Sequence, residues 1–401
     1  MRIVVHDYSG HPFQVELSRA LAGRGHHVTH LFFAEFQTPR GRLAVTADDP
    51  PTLAIRAVSI GEPFRKGSFV RRRAQEQQVG RLIAAEIAKL RPDVVISSNA
   101  PLDTQRAIQR AARAAGAGFV FWLQDLYGKA IAGILGARWL GLGALVGRHY
   151  QALEYRMLRA SDAVVAITGD FIAPLSRAGI VPERVSVIEN WAPLDEIAGM
   201  PADNDWARAN GFAGRANIVY AGTIGYKHDP QVLLNLAAET DAFVTVFSEG
   251  PVAEALARQA RAAGIGRFAV QPWVAFADLP AMLAAADLVV AFVEPGAGGY
   301  SVPSKVLSYL AAGRPILATI PAGNLAARLI VRAGAGVVVE PGDAAGLVRA
   351  ARRLLAAPEE RRAMAAAGRA WAQAHFAIAP IADRFEQVAS AASDRAREKR
   401  A

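Results

Sequence analysis

Leu288-Val-Val-Ala-Phe292 is followed by Pro295-Gly-Ala-Gly-Gly-Tyr-Ser-Val-Pro-Ser-Lys305 and then by the helical run Val306–Ala312. A short apolar run, a glycine-rich loop and a helix, in that order, make a βα unit. Three glycines permit positive φ and leave a row of backbone N–H groups uncovered. Pro303 suits a first helical turn, where its missing donor costs little. A helix N-terminus offers unpaired N–H groups and the positive end of a dipole, and Lys305 adds a full charge beside them. Glycines, capping residues and lysine thus converge on an anion; simple loop flexibility is the plainer alternative.

The same rhythm extends in both directions. Upstream lie Ile218–Tyr220, Phe243–Phe247 and Phe268–Val270; downstream lie Ile316–Thr319 and Val337–Val339. The first half has β-like runs at Ile3–Val5, Val28–Phe33, Val94–Ser97, Phe119–Leu123, Ala163–Ile167 and Val185–Ile188, with helical stretches such as Phe13–Arg24, Arg81–Leu90 and Thr104–Ala115 between them. Strands separated by helices imply right-handed crossovers and parallel sheets. Two doubly wound α/β domains, facing a central cleft, are predicted: residues 1–195, then 196–375, with 376–401 packing back on the first. The polar segment Ala192–Arg215 reads as a linker.

At 401 residues the chain is too long for one ordinary core. The absence of cysteine excludes disulfides, thiol catalysis and cysteine-ligated metals. MRIVVHDYSG reads as a strand from its first residues, not as a signal segment, and no long uncharged run suggests a spanning helix. The net charge is +9, concentrated before Asp195 with 24 Lys and Arg against 17 Asp and Glu. That asymmetry points to an anionic partner. Without an RNA- or DNA-binding signature, nucleic acid is not expected.

In open α/β sheets ligands bind beyond the carboxyl ends of strands. In the second half, Tyr220-Ala-Gly-Thr-Ile-Gly-Tyr-Lys227 puts Gly222, Thr223, Gly225 and Lys227 there, as an anion loop or as a tight turn. Ser248-Glu249-Gly250-Pro251 and Val270-Gln271-Pro272-Trp273-Val274 are placed to wall a nucleoside pocket, Trp273 stacking or packing in the core. In the first half, Gly10 and His11 open the first helix, as an anion site or a solvated cap. Asn99 follows a strand, Gln124 and Asp125 follow another, and Asn190 closes the last. Asp125 is placed to orient or deprotonate a hydroxyl, or to cap a helix. Asp203-Asn-Asp205 matches a metal-binding pattern, but with no strand feeding it the pair reads as surface. No residues with metal-ligand spacing occur elsewhere, and no cofactor is expected.

The blocks His6-Asp-Tyr-Ser-Gly-His-Pro-Phe-Gln-Val-Glu-Leu-Ser18, Trp122-Leu-Gln-Asp125, Tyr220-Ala-Gly-Thr-Ile-Gly225 and Val302-Pro-Ser-Lys-Val-Leu-Ser-Tyr-Leu-Ala-Ala-Gly-Arg-Pro315 resemble glycosyltransferase family four, the retaining GT-B group. They resemble especially its bacterial exopolysaccharide and colanic-acid-type branch. The resemblance spans nearly the whole chain. It implies a metal-independent hexosyltransferase, taking a UDP- or GDP-sugar to a polyprenyl-diphosphate-linked or glycan acceptor in cell-surface polysaccharide biosynthesis. Gly298, Gly299, Tyr300, Ser301, Ser304 and Ser308 then join the donor site, and Lys305 and Lys227 neutralise the diphosphate. Tyr300 and Ser308 stand where the family usually has two glutamates, Thr223 replaces a usual arginine, and Gln124 a usual histidine. A 2-epimerase or hydrolase on the same fold, or a non-catalytic binding subunit, are the rival readings.

Phe64-Arg-Lys-Gly-Ser-Phe-Val-Arg-Arg-Arg73 interleaves aromatics with positive charge, and Ile131–Leu158 carries apolar residues at helical spacing. Together they predict an in-plane helix at an anionic membrane, on the cytoplasmic face of the plasma membrane. A solvated face over a core helix is the alternative.

Overall fold

The computed structural model describes residues 1–65, 67–98, 100–136, 142–224, 229–293 and 301–400. They divide into two compact units, Met1–Glu189 with Ile378–Ala401, and Asn190–Ala377.

The first unit runs β1 (Arg2–Asp7), α1 (Pro12–Gly23), β2 (His27–Phe33), β3 (Leu53–Val58), α2 (Phe69–Leu90), β4 (Val94–Ser98), α3 (Leu102–Ala114), β5 (Gly118–Leu123), α4 (Tyr127–Gly136), α5 (Leu142–Ala160), β6 (Ala163–Ala166), α6 (Ile172–Arg177) and β7 (Val185–Val187). Its seven strands lie in the order β3-β2-β1-β4-β5-β6-β7, with every pair parallel. Strands β4 and β5 are buried along their whole length, which is why Val94–Ile96 and Phe119–Leu123 read as apolar runs without alternation.

The second unit holds α7 (Asp205–Ala209), β8 (Asn217–Ala221), α8 (Gln231–Glu239), β9 (Phe243–Phe247), α9 (Pro251–Ala262), β10 (Phe268–Gln271), α10 (Leu279–Ala284), β11 (Leu288–Phe292), α11 (Lys305–Ala311), β12 (Ile316–Thr319), α12 (Leu325–Arg332), β13 (Gly336–Val339), α13 (Ala344–Ala356) and α14 (Pro358–His375). Its strand order is β10-β9-β8-β11-β12-β13, again all parallel. Ile218, Val244, Val290 and Leu317 meet α8 and α13 in one core.

The last helix, α15 (Ile378–Glu398), belongs to the first unit. Gly118 makes this docking possible: a Cβ there would sit 2.5 Å from the Ala392 carbonyl. Phe385 packs on Trp122, and Arg24 pairs with Asp383 and Glu386 at 2.7 and 2.8 Å.

Four expectations change. Strand β3 has no counterpart among the predicted runs, because Leu53–Val58 is an edge strand with exposed Arg56 and Ala57. The segment read as a linker is folded: Asn204 caps α7 and also donates to the Ala281 carbonyl, while Trp206 packs on Phe212 and Phe247. Pro303 lies one residue ahead of the N-cap Ser304, outside the first turn. Ile131–Leu158 is not one helix. It is the pair α4 and α5, packed so closely that a Cβ on Gly128 would meet Gln151 Cα at 2.6 Å, and one on Gly147 would meet Ala132 Cα at 2.6 Å.

The division also relocates the charge. The first unit holds 29 Lys and Arg against 20 Asp and Glu; the second holds 16 of each, so the entire +9 belongs to the first.

Candidate functional site

In each sheet the strand order reverses direction at one point, between β1 and β4 and between β8 and β11. Crevices form at the carboxyl ends of strands at such points.

At the second switch point, β8 ends at Ala221 and runs into Gly222 and Thr223. Gly222 adopts φ 137°, and a Cβ there would lie 3.2 Å from Lys305 Cε, so the position requires glycine twice over. Lys305 reaches across from the head of α11, its Nζ 4.9 Å from the centroid of the Tyr220 ring. Tyr309, one turn further along α11, is buried, and its hydroxyl accepts from the Ala221 N–H at 3.1 Å. The Tyr220 hydroxyl donates to the Thr223 carbonyl at 3.0 Å. Tyr309 therefore pins the end of β8 to α11, Tyr220 closes the turn that follows β8, and Lys305 stands over the junction.

The neighbouring strand ends are tied to this one. Gly222 N donates to the Phe247 carbonyl, and Ser248 N to the Gln271 carbonyl, both at 3.0 Å. Gly250, with φ 100°, precedes α9. The Trp273 N–H donates to Glu249 Oε1 at 3.3 Å. The Ser248 hydroxyl and the Trp273 indole nitrogen are buried with no partner among the described residues. Ser301 is buried and its carbonyl accepts from Asn324 Nδ2 at 2.8 Å; Ser304 is exposed, and Ser308 and Val274 are half-buried.

The first switch point is built differently. Asp7 ends β1, fully buried, and its carboxylate accepts from the Ser9 N–H at 3.0 Å and from the His11 N–H. It also accepts from His11 Nδ1 at 3.2 Å, and from the Gln14 amide nitrogen at 2.6 and 2.8 Å while that amide's oxygen accepts from Ser98. Burial raises the Asp7 pKa, but His11's charge and hydrogen bond, with the Ser9 amide, outweigh it and the net direction is down. Gly10 turns the chain at φ 81°. At this turn, where Gly10 and His11 were offered as an anion site or a solvated cap, the Ser9 and His11 amides are engaged by a carboxylate of the chain itself. Beneath Asp7, His6 Nδ1 bonds Ser97 Oγ at 2.9 Å and His30 Nδ1 bonds Ser18 Oγ at 2.8 Å. Burial pushes these imidazoles down to about 3 and about 4.

Next to it, β5 leads to Gln124, buried, and Asp125, half-buried. His11 packs on Phe13, and Phe13 on Trp122 of β5, which places His11 on the β5 side of the crevice. Asp125 does not cap α4: Leu126 holds that place, its carbonyl accepting from Ala130 N. Glu154 of α5 instead accepts from the Gly128 N–H at 3.0 Å and from that of Tyr127, and burial pushes its carboxyl up to about 8. Asn190 opens the second unit, beyond the end of β7. Asn99, Gly225, Lys227, Gly298, Gly299 and Tyr300 lie outside the described residues.

The sequence reading passed over Asp7 and Glu154. Asp7 sits at the end of an apolar run, in the same block as Gly10 and His11, and a carboxylate four residues ahead of a histidine was the available signal. Asp203 and Asp205 are exposed and both bond Arg208 at 2.6 Å. Among the described residues no three His, Asp or Glu side chains gather so as to hold a metal ion.

The surface expected to face a membrane is more divided than the sequence suggests. Arg72 pairs with Glu76 at 2.7 Å and Arg73 with Asp103 at 3.0 Å, and Tyr150 of α5 donates to that same Asp103 oxygen at 3.0 Å. Leu153 and Met157 are core residues, whereas Phe69, Val70, Leu145 and Val146 are exposed. No helix among the described residues is long and apolar enough to cross a membrane.

Residues 11–191 match the family model for a glycosyl transferase 4-like domain, and residues 215–357 that for glycosyl transferases group 1. The chain is 25% identical over 210 residues to a Pseudomonas aeruginosa protein named as a glycosyltransferase, WbjE, covering 49% of this chain and only 52% of that one. It is 25% identical over 276 residues to an Escherichia coli K12 protein named for colanic acid biosynthesis, WcaI, covering 67% and 68%. Among solved structures, sucrose-phosphate synthase from Thermosynechococcus elongatus superposes with a TM-score of 0.73 at 17% identity, over 97% of this chain and 98% of that one. Anabaena HepE, solved with UDP and glucose, gives 0.70 at 16%, over 97% and 99%.

Proposed function

The chain belongs to glycosyltransferase family four and has the GT-B fold, and on that premise we propose that it moves a hexosyl unit from a UDP- or GDP-sugar to an acceptor hydroxyl with retention of anomeric configuration. The acceptor is a polyprenyl-diphosphate-linked sugar or a growing glycan of a cell-surface polysaccharide. One observation carries the reading: Lys305 stands over Gly222 where β8 and α11 are pinned together. As the glycosidic bond breaks, negative charge collects on the leaving diphosphate. A positioned ammonium group beside a glycine turn stabilises that charge without reorganising. Thr223, Ser301, Ser304 and Ser308 line the same end of the sheet. Glu249, Gly250, Trp273 and Val274 would hold the nucleoside, with the unpartnered Ser248 hydroxyl and Trp273 indole N–H available to it. That HepE was solved with UDP-glucose supports the donor class, and the WcaI relative supports the polysaccharide setting.

A panel of radiolabelled nucleotide sugars, incubated with a membrane lipid extract, tests this. Label is expected in the lipid fraction, with activity surviving excess EDTA. Label released as free or epimerised sugar would identify the hydrolase or epimerase instead, and binding without turnover a binding subunit. Loss of activity to EDTA that Mg²⁺ restores would remove the metal-independent scheme.

The acceptor proposal includes attachment to an anionic membrane, at the cytoplasmic face of the plasma membrane. The Arg73–Asp103–Tyr150 link ties the start of α2 to the middle of α5, and those two helices carry the exposed Phe69, Val70, Leu145 and Val146 in the unit that holds all the net charge. Because Arg72 and Arg73 are held by carboxylates, the clean variant is Phe69→Ser with Val70→Ser and Arg71→Ala. It is expected to lose flotation with anionic liposomes while the wild type binds them and releases in high salt. Equal binding of the wild type to neutral vesicles would overturn this part.

A further inference from the structure

We propose that a recess between the edge strand β7 and the last helix, α15, is a second anion site, one that takes a phosphate group. It lies wholly inside the first unit, away from the strand reversal of that sheet, and stands whether or not the transferase reading holds. Its volume is about 200 Å³. Clefts for drug-sized ligands begin at ~300 Å³, so this one suits a headgroup-sized anion and not a whole nucleotide sugar.

Two elements bring the lining together. Arg184, Ser186 and Ile188 alternate along the chain through β7, so their side chains leave the same side of the sheet. Arg384, Val388, Ala391 and Arg395 recur at the spacing of one face of α15. The adjoining face of α15, with Phe385, Ala389, Ala392 and Ala396, is buried and docks the helix on the sheet. The arginines are additional to that apolar seam.

Each of these arginines keeps its charge. Arg395 donates through Nη1 to the Asp162 carbonyl at 2.8 Å and through Nη2 to the Glu183 carbonyl at 3.3 Å. Arg384 Nη2 donates to the Val187 carbonyl. Neutral carbonyls orient a guanidinium without cancelling its charge, and its five N–H donors are not exhausted by one or two such bonds. The Arg184 side chain makes no hydrogen bond among the described residues, and among them none of the three arginines pairs with a carboxylate. Glu183, exposed at the rim, is the carboxylate that lines the recess. Three positive charges against one negative leave a net +2, which is what a phosphate monoester of about −2 requires.

Arginine suits that ligand because its planar fork meets phosphate oxygens two at a time. Anchoring on backbone carbonyls fixes Arg384 and Arg395 in advance, so less side-chain freedom is lost when the anion arrives. Arg184 directly follows Glu183, whose carbonyl holds Arg395, so these two arginines share one end of the recess. That end is the phosphate position, and Ile188, Val388 and Ala391 are left to face the uncharged body of the ligand. A soluble phosphate ester and an acidic lipid headgroup share this chemistry.

The test uses the full-length chain carrying Lys305→Ala, which removes the phosphate position proposed for the second unit. Calorimetric titration with inorganic phosphate is expected to show one saturable site. Adding Arg184→Gln should weaken it ~10-fold or more, the loss of one charge-assisted contact. Adding Glu183→Gln removes the opposing carboxylate and should tighten it; this exposed position keeps the test open if Arg184→Gln fails to fold. Flotation with phosphatidylcholine vesicles containing phosphatidic acid separates the sources. Loss of flotation in Arg184→Gln identifies a lipid headgroup, and unchanged flotation beside weakened phosphate binding identifies a soluble ester. No saturable binding, equal affinity in Arg184→Gln and its parent, or weaker binding in Glu183→Gln overturns the site and leaves the transferase reading intact.

Discussion

The two switch points have the same topology and opposite electrostatics. At β1/β4 the turn after the strand is filled by the chain's own carboxylate, Asp7, and stands over two neutral histidines. At β8/β11 the corresponding turn is made by Gly222, with Lys305 over it. The first lies in the unit with all of the net positive charge, the second in the unit with none. Net charge and local site charge are therefore decoupled: the basic unit carries an anion at its crevice, and the neutral unit a cation. Under the proposed reading, the cation is the group that meets the diphosphate.

The largest effect expected from this contrast is selective acid failure of the first unit. His6 and His30 have folded values of about 3 and about 4 against 6.5. Their contribution is therefore complete above pH 6.5 and is lost as pH falls toward those values. By pH 5 the loss is about 2 kcal/mol for each, or about 4 together. Native-state hydrogen exchange should show amides of β1, β2 and β4 losing protection at pH 5, with β8 and β11 little changed. Equal loss in both units would break the contrast.

Next in size is Lys305→Ala. Removing one preorganised charge from a transition state costs roughly 10² in kcat, about 2.7 kcal/mol. Folding should hardly change, since Lys305 is half-exposed. Near-wild-type turnover would detach the diphosphate from this switch point. Gly222→Ala sharpens the point: its side chain would need φ 137° and the space 3.2 Å from Lys305 Cε, so it should damage turnover through backbone geometry while keeping the charge.

What the sequence revealed and concealed follows the same physics. Strands buried on both faces, such as Val94–Ser98 and Leu288–Phe292, announce themselves as apolar runs, and the carboxyl ends then locate Gly222, His11 and Asp125. The edge strand Leu53–Val58 does not, because one face is solvated and Arg56 interrupts it. Arg72–Glu76 pairing was readable at i, i+4, but Arg73 finds Asp103 thirty residues away. The juxtaposition of Gly222 and Lys305 likewise depends on β8 and β11 being neighbours, an adjacency that no local pattern encodes.

The smallest expected effect asks why two buried carboxyls near the same sheet end differ. Asp7 receives the Ser9 and His11 amides, the His11 ring and Gln14, and is lowered against its burial. Glu154 receives the Gly128 and Tyr127 amides, has Asp125 as a like charge, and burial lifts it to about 8, leaving its Oε1 without a partner. The number and charge of the donors decide which carboxyl ionises. For Glu154 the folded value lies above the ordinary 4.5. Its contribution is therefore full below pH 4.5 and is lost as pH rises toward 8. Glu154→Gln keeps an oxygen for the two amides and cannot ionise. Between pH 6 and 7.5 the variant should gain about 2 kcal/mol over wild type, read from urea midpoints at the two pH values. Parallel curves would mean that Glu154 is ionised in the fold and that α4 is held by a charged cap, which would make the carboxyl ends of β1 and β5 alike.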